Sequence, residues 1–537
     1  MSRDLLANHA LAHIPKLLTL LDRNPHSPTY GCFDRNYWHY KIIDFPSGMA
    51  QEFVWPLALA YDTELPGNSF YRQPMLPQWV EAGILYAARS AHKDGSCDDY
   101  FPFERASGAA AFSLLACVES YTLLQLKHQE ALVFFEQRAN WLARHHESGR
   151  LTNHQALIAL VLELLSHLLQ THQWDRAKSL RLERVLDWQN PEGWFQEYEG
   201  CDPGYHTLTI SCLARIYQLR PDPRLKEAIA RAIKLASYFM HPDGSYGGEY
   251  TSRNTYNFFP HGFELVGHWL PEALQINDRF LMGLANGLAP CYADDHIIGH
   301  HTWNYLLAWR DFVVDRPDSA VCQPEDAAGQ TQRLWLQQGQ ILIDRRQNTH
   351  LYLSLNKGGA FKFFRHHRLI TADTQFSLQV QQGRKLKNAV GHLIGPYQVE
   401  VDTNEIVIRG QLGWAKQKQM TPLNLLILRI VMLTLGRFFP NLIRRLLQKL
   451  LIVGKQDAPF HFTRRFRWQN GHWQLKDELW ADSWQPVVTA GLGCDQTSIY
   501  VVMSRTFQPG QLQPWVDLTP VVKNLAPGQP LELERQL

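Results

Sequence analysis

The chain has 537 residues, too many for one ordinary domain and enough to bury large cores. Lys plus Arg number 53 against 51 Asp plus Glu, for a formal net charge of +2, so overall charge points to no nucleic acid and no strongly acidic partner. Aromatic content is high, with 17 Trp, which serves sugar stacking and large cores equally well.

The N-terminal stretch carries Asp4 and His9 and lacks a basic region followed by a clean apolar core, so no signal peptide is expected. Eight scattered cysteines form no CxxC pair. Cys117 and Cys212 fall in apolar helical runs and read as buried thiols in a reducing compartment. The expectation is a cytoplasmic protein, extending to the inner membrane face.

After a short amphipathic segment, Gly31 to Lys41 is dense in hydrogen-bonding and stacking groups, among them Arg35, Tyr37 and Trp38. Such a stretch is either a surface loop pinned by aromatics or a wall of a polar cleft. From Leu76 to Trp309 apolar residues recur at helical spacing, as in 79–91, 109–126, 154–169, 207–219 and 225–240. Gly95, Gly149, Gly193 and Gly244 interrupt them at intervals of roughly fifty residues, about two helices and their connections. Hairpins repeating at that period either run on as a solenoid or close into a ring. Polar and aromatic residues follow each break: Asp98 and Asp99, Asn153 and His154, Gln196 to Tyr198, and Tyr246 to Tyr256. On one end of a ring these sets would surround a central cleft, and this favours a toroid.

Beyond Arg316 the pattern changes to short runs rich in β-branched and aromatic residues, separated by turn residues. They include 338–344, 349–355, 397–401, 405–410 and 500–506, and a hairpin, 462–468 with 472–476, turns at Asn470-Gly471. The expected fold is therefore α+β and multidomain: an N-terminal (α/α) helical toroid followed by a C-terminal antiparallel β-sandwich. Residues 1–50 should pack on the toroid, 51–315 form it, and 330–537 form the sandwich. Residues 416–455 interrupt the β pattern. They carry Lys416, Lys418, Arg429, Arg437, Arg444, Arg445, Lys449 and Lys455, no acidic residue, and apolar runs too short to span a bilayer. The segment reads as a helix in an anionic membrane interface or as an insertion packed on the toroid.

The chemistry sits between Asn153 and His206. Eliminating a glycosidic bond beside a uronic acid needs a group that neutralises the carboxylate, a base for the C5 proton and an acid for the leaving oxygen. Asn153, His154, Tyr205 and His206 supply all three without a metal or other cofactor. At these residues the chain resembles the heparinase II/III-like polysaccharide lyases, including the related alginate lyases. That family has a toroid followed by a β-sandwich, with an Asn-His pair at a helix start and a Tyr or Tyr-His about one hairpin later.

The resemblance implies Asn153 on the substrate carboxylate, His154 or His206 near the abstracted proton, and Tyr205 as acid or combined acid and base. Gly247 to Gly262 looks like a polar loop of these toroids and makes Arg253, Asn254, Tyr256 and His261 candidate sugar contacts, beside Trp194 and Glu197. The implied partner is a polysaccharide or oligosaccharide, in exopolysaccharide or capsule metabolism. Family metal sites in the β domain use His and Asp, but His366, His367, Asp373 and His392 are unconvincingly spaced, and no metal is expected. Two other functions fit the sequence. A glycoside hydrolase would use paired carboxylates from Asp98, Asp99, Glu197, Glu199, Asp202 and Glu249. A glycan-binding protein of polysaccharide assembly would need no turnover.

Overall fold

In the computed structural model, residues 2–147, 149–197, 200–291, 297–316, 331–415, 419–439, 442–443, 456–493, 504–508, 512 and 515–537 are described. The apolar runs of the first half fold as helices. Those with apolar residues all round, α3 (Val54–Asp62), α5 (Ser107–Leu123), α7 (Thr152–Leu169), α9 (Pro203–Leu219), α11 (His261–Val266) and α13 (Ile298–Arg310), are buried over most of their surface. Each packs on the next, and α13 returns to α3, so the six close a ring.

The helices that alternate with them in sequence carry one apolar stripe and line the outside. They are α4 (Met75–Ser90), α6 (Gln129–Arg144), α8 (Asp175–Asp187), α10 (Pro223–Phe239) and α12 (Glu272–Ala285). In α10 the stripe is Leu225, Ala228, Ile229, Ala232, Ile233, Ala236 and Phe239. An earlier helix, α1 (Asp4–Leu20), packs on α13, α12 and α3. Among the described residues the only strands in this half are the two-residue pair β1 (Gln196–Glu197) and β2 (Gly200–Cys201).

Three of the glycine breaks, at Gly95, Gly193 and Gly244, are one turn used repeatedly. His92 N–H donates to the Ser96 carbonyl (2.9 Å) and Gly95 N–H to that of His92 (2.8 Å). The same two bonds recur at His241 to Ser245 and at Asn190 to Trp194. Gly95, Gly193 and Gly244 have φ of +86°, +103° and +86°, a region open to Gly at little cost. A Cβ on Gly95 or Gly244 would also lie 2.5 Å from a backbone nitrogen of the next outer helix, so glycine is what lets turn and helix meet. The ring closes where Trp55 stacks on Trp303 at 4.4 Å. Beside them the buried Glu52 accepts Trp303 Nε1–H (2.6 Å) and pairs with His300 Nδ1 (2.5 Å).

The second half forms two antiparallel sheets. β3 (Gln332–Leu336), β4 (Ile341–Arg346), β5 (Thr349–Ser354), β6 (Phe361–Arg365) and β7 (Arg368–Asp373) make a meander in sequence order. The other sheet has nine strands: β8 (Phe376–Gln382), β9 (Lys385–Val390), β10 (Gln398–Val401), β11 (Glu405–Ala415), β12 (Asp457–Gln469), β13 (His472–Ala481), β14 (Val487–Gly493), β15 (Trp515–Asp517) and β16 (Leu531–Gln536).

The meander is buried on both faces, and strand alternation assigns them. Ile341, Ile343, Tyr352 and Phe364 join the helical core, while Leu342, Leu351, Leu353, Phe361 and Phe363 join a core shared with the nine-stranded sheet. β12 and β13 pair through the Asn470-Gly471 turn, both residues at positive φ. The run expected at 500–506 lies outside the described residues up to 503, and Ser504 to Thr506 are in no strand. Inside the 416–455 segment, α14 (Pro422–Val431) continues into a π-helical turn, Met432–Gly436. Lys416, Lys418, Arg444, Arg445, Lys449 and Lys455 fall outside the described residues.

Candidate active site

The first turns of α5, α7, α9 and α13 face one cleft of about 260 Å³, contributing Ser107 to Ala109, Asn153 and His154, Tyr205, and His300. Helix N-termini present backbone N–H groups and the positive end of the helix dipole, which favour an anion, and in α7 and α9 part of this is already met by Glu197 and Asp202. Arg253 adds a formal cation. Asp99, Tyr100, Glu104 and Glu147 complete the walls, and Tyr100 stands 72% exposed at the rim.

Three of the expected residues are fixed by carboxylates behind or beside them. Asn153 donates its backbone N–H and its Nδ2–H to Oε1 and Oε2 of Glu197, both at 2.7 Å, while its Oδ1 is buried without a hydrogen bond. Glu197 is fully buried and does not line the cleft; burial pushes its carboxyl up to about 7, against the opposing pull of the Asn153 donors and Arg253. His154 Nδ1 meets Glu147 Oε1 at 2.6 Å, with its ring edge-on to Phe112. Gly108 makes room for that imidazole, since a Cβ there would lie 2.7 Å from Cε1. Tyr205 lies under the Arg253 guanidinium, 4.5 Å from the ring centroid. Arg253 in turn pairs with Asp202 at 3.7 Å. Asp202, raised above the usual carboxylate range by burial, caps α9 through Gly204 N–H.

The structure takes other expected residues elsewhere. His206 follows Tyr205 on α9 and therefore points about 100° away around the helix. Its Nε2 bonds to the Ala232 carbonyl of α10 (2.9 Å), and burial holds it neutral, with its pKa down at about 4. His261 Nε2 meets Asp311 Oδ2 at 2.8 Å, just past the C-terminus of α13. That is eleven residues from His300, or about 16 Å along a helix. Trp194 bonds Glu192, whose carboxylate also takes Gln338 and Gly339 N–H, so it pins the ring to the β3–β4 turn.

Tyr256 is buried, donates to Glu249 and lies beneath Lys362, and Glu249 pairs with Lys362 and Arg505 between helices and sheet. Asn254 is buried at φ +57° with neither amide atom hydrogen-bonded. Arg35, Tyr37 and Trp38 form the half-buried helix α2 (Arg35–Trp38), where Trp38 Nε1–H donates to Leu20 O (2.7 Å). None of these eight lines the cleft.

Asp98 is consumed by His92 and by the N–H groups of Phe103 and Arg105, and Glu199 lies outside the described residues. In the β domain, Asp373 is taken by Arg464 and Arg535, His367 by the Pro242 carbonyl and His392 by the Thr374 carbonyl, while His366 meets Asn348.

The sequence reading overlooked Glu147, Phe112, Gly108 and the His300–Glu52 pair. His300 stacks on Phe112 at 4.0 Å, so one phenyl ring locates both cleft histidines. Glu147 stands two residues before the Gly149 break, and attention to residues preceding the breaks could have found it. His300 carried no such signal, because its partner is 248 positions away.

No family model matches this chain, and no curated protein sequence matches it. Among solved structures, a Paenibacillus xanthan lyase superposes over 91% of this chain with TM-score 0.51 and 11% identity. This chain spans 46% of that protein's length. Chondroitin AC lyase from Streptomyces coelicolor A3 aligns over 92% of this chain and 68% of its own, at 10% identity and TM-score 0.49. Cellobiose 2-epimerase from Bacillus thermoamylovorans aligns over 57% of this chain and 98% of its own, at 12% identity and TM-score 0.45. At such identities the likeness to the xanthan lyase is one of fold, and fold alone does not fix function.

Proposed function

We propose that this chain is a polysaccharide lyase that cleaves a uronate-containing glycan by β-elimination, on a toroid followed by a β-sandwich. The observation that carries the reading is the meeting of Asn153, His154, Tyr205 and Arg253 in one cleft ringed by helix N-termini. The helix ends and Arg253 favour the uronate carboxylate, and the Asn153 Nδ2–H that Glu197 does not use donates to it, so negative charge developing at C5 is spread into a neutralised group. With His154 Nδ1–H donating to Glu147, Nε2 holds the lone pair that takes the C5 proton. The Tyr205 hydroxyl gives its proton to the glycosidic oxygen as the C4–O bond breaks and the C4–C5 double bond forms. His154 then returns the C5 proton, through solvent, to Tyr205.

The hydrolase reading needs two carboxylates free to act on opposite sides of the bond. Asp99 accepts from Ser47, Glu104 from two backbone N–H groups, and Glu147 holds His154, so the cleft carboxylates are committed to positioning. The test is incubation with a panel of uronate-containing polysaccharides. Elimination leaves an unsaturated product, so ultraviolet absorbance should rise in step with new reducing ends. Reducing ends without absorbance would give the site to hydrolysis. Binding with neither would make it a glycan-binding cleft.

A further inference from the structure

We propose that the segment carrying α14 docks this protein on an anionic lipid surface, with the rim of the cleft held beside the headgroups. In most β-hairpins the strands join through a short turn. Here β11 and β12 pair as far as Gly413 with Asp457, and Trp414 N–H reaches the Gln456 carbonyl at 2.8 Å, yet forty residues intervene between Ala415 and Gln456.

The described part of that excursion is apolar and turns much of its surface to solvent. Leu423 is 66% exposed and Phe438 72%, and Leu426, Ile427, Ile430 and Leu433 are each half exposed or more. A soluble surface rarely leaves so much contiguous apolar area in water unless something covers it. No helix among the described residues is long and apolar enough to cross a membrane, so what is available is insertion at an interface.

Charge decides the occupant. From 416 to 455 the sequence holds eight Lys or Arg and no Asp or Glu. A second copy of a segment of this composition would bring like charges together, whereas anionic headgroups attract them. The contacts that seat α14 give the docking its geometry. Arg429 pairs with Asp44 at 3.1 Å and lies over Phe45, Met432 is buried, and Arg437 lies over Phe103. Phe103 belongs to the same loop as Asp99, Tyr100 and Glu104, which line the cleft. Docking through α14 therefore brings the cleft rim to the bilayer, where lipid-anchored or membrane-emerging glycans are found.

Sedimentation with vesicles tests this, and it reads docking without regard to turnover. The full-length protein should pellet with vesicles of equal parts phosphatidylglycerol and phosphatidylcholine. It should pellet weakly with phosphatidylcholine alone, and less with the mixed vesicles as salt rises. Replacing Leu426, Ile430 and Phe438 together by Asn should lower partitioning by about tenfold or more. Because β11 and β12 already pair at the base of the excursion, exchanging 416–455 for an Asn-Gly turn should keep the circular dichroism spectrum and abolish pelleting. Indifference of the wild-type protein to both vesicles, or pelleting unchanged in the triple variant, would overturn the proposal. So would a lipid-free dimer that the triple variant dissolves, since the face would then belong to a second copy.

Discussion

Two neighbouring side chains, Tyr205 and His206, show how a single residue step decides a role. Both start α9, but one ring lies under Arg253 in the cleft while the other is bonded to Ala232 in the hairpin core. If Tyr205 is the acid, Tyr205→Phe keeps the ring beneath the guanidinium and removes the proton. Turnover should then fall about 10²–10⁴-fold with KM little changed, read by ultraviolet absorbance. Full activity in that variant would remove Tyr205 from the chemistry. Gly108→Ala is a sharper test of His154. Alanine is the better helix former by about 1 kcal/mol, so propensity alone predicts no loss of stability. Its Cβ, however, would meet His154 Cε1 at 2.7 Å and Nε2 at 2.9 Å. The imidazole must shift, and displacement by about an ångström can cost on the order of 10²-fold in rate. Thermal stability near wild type with activity down by that order is expected. Unchanged activity would mean that His154 does no chemistry.

Among the helices, the step that completes the cleft is ring closure between α13 and α3. Glu52 holds it by accepting from Trp303 and pairing with His300, all three being buried. Glu52→Ala strands two polar groups at about 1–3 kcal/mol each. Calorimetry should show a lowered melting temperature, and activity should fall as His300 leaves its stack on Phe112; an unchanged melting temperature would show that closure rests on apolar packing alone. This junction also marks where sequence stops informing. The repeat was legible, because its turn needs a left-handed glycine every other helix, and the later strands were legible through alternation and an Asn-Gly turn. Closure was expected from the polar sets shared by the breaks, but the contact that makes it was not legible, since it joins residues 248 positions apart with no local pattern to announce it. Residue pairs located the right helix ends, but a pair cannot say which member faces the cleft: Asn153 and His154 both do, whereas of Tyr205 and His206 only Tyr205 does. High aromatic content left sugar stacking and core packing open, and Trp55, Trp174, Trp303 and Trp473 are fully buried core residues.

Taken as a whole, the molecule hides titratable groups in its cores, and this sets its response to acid. Burial holds His206, His261 and His392 down to about 4 and His350 to about 3, so each stays neutral in the folded chain where an unfolded histidine is charged. Below pH 6.5 the unfolded state therefore binds more protons than the folded one, and stability falls as pH drops from 6.5 toward 4. Four such groups amount to roughly 5 kcal/mol by one pH unit below 6.5. Glu197 acts in the opposite sense. Raised to about 7, it is protonated in the folded state and ionised in the unfolded state between about 4.5 and 7, so its contribution diminishes as pH rises through that window. Burial also raises Asp202, Glu264 and Asp278, but it lowers His13, His241 and His301 beside the four histidines above, so the trend stands. Since whole domains are stable by only about 5–15 kcal/mol, cooperative unfolding near pH 5 is expected, followed by circular dichroism. Glu197→Gln should remove this residue's opposing component. The variant should gain stability relative to wild type at and above pH 7, and should lose it more steeply below pH 6.5. A variant whose stability tracks wild type across that range would mean that Glu197 is ionised throughout in the folded protein, with Asn153 stabilising the carboxylate fully enough to cancel the cost of burial.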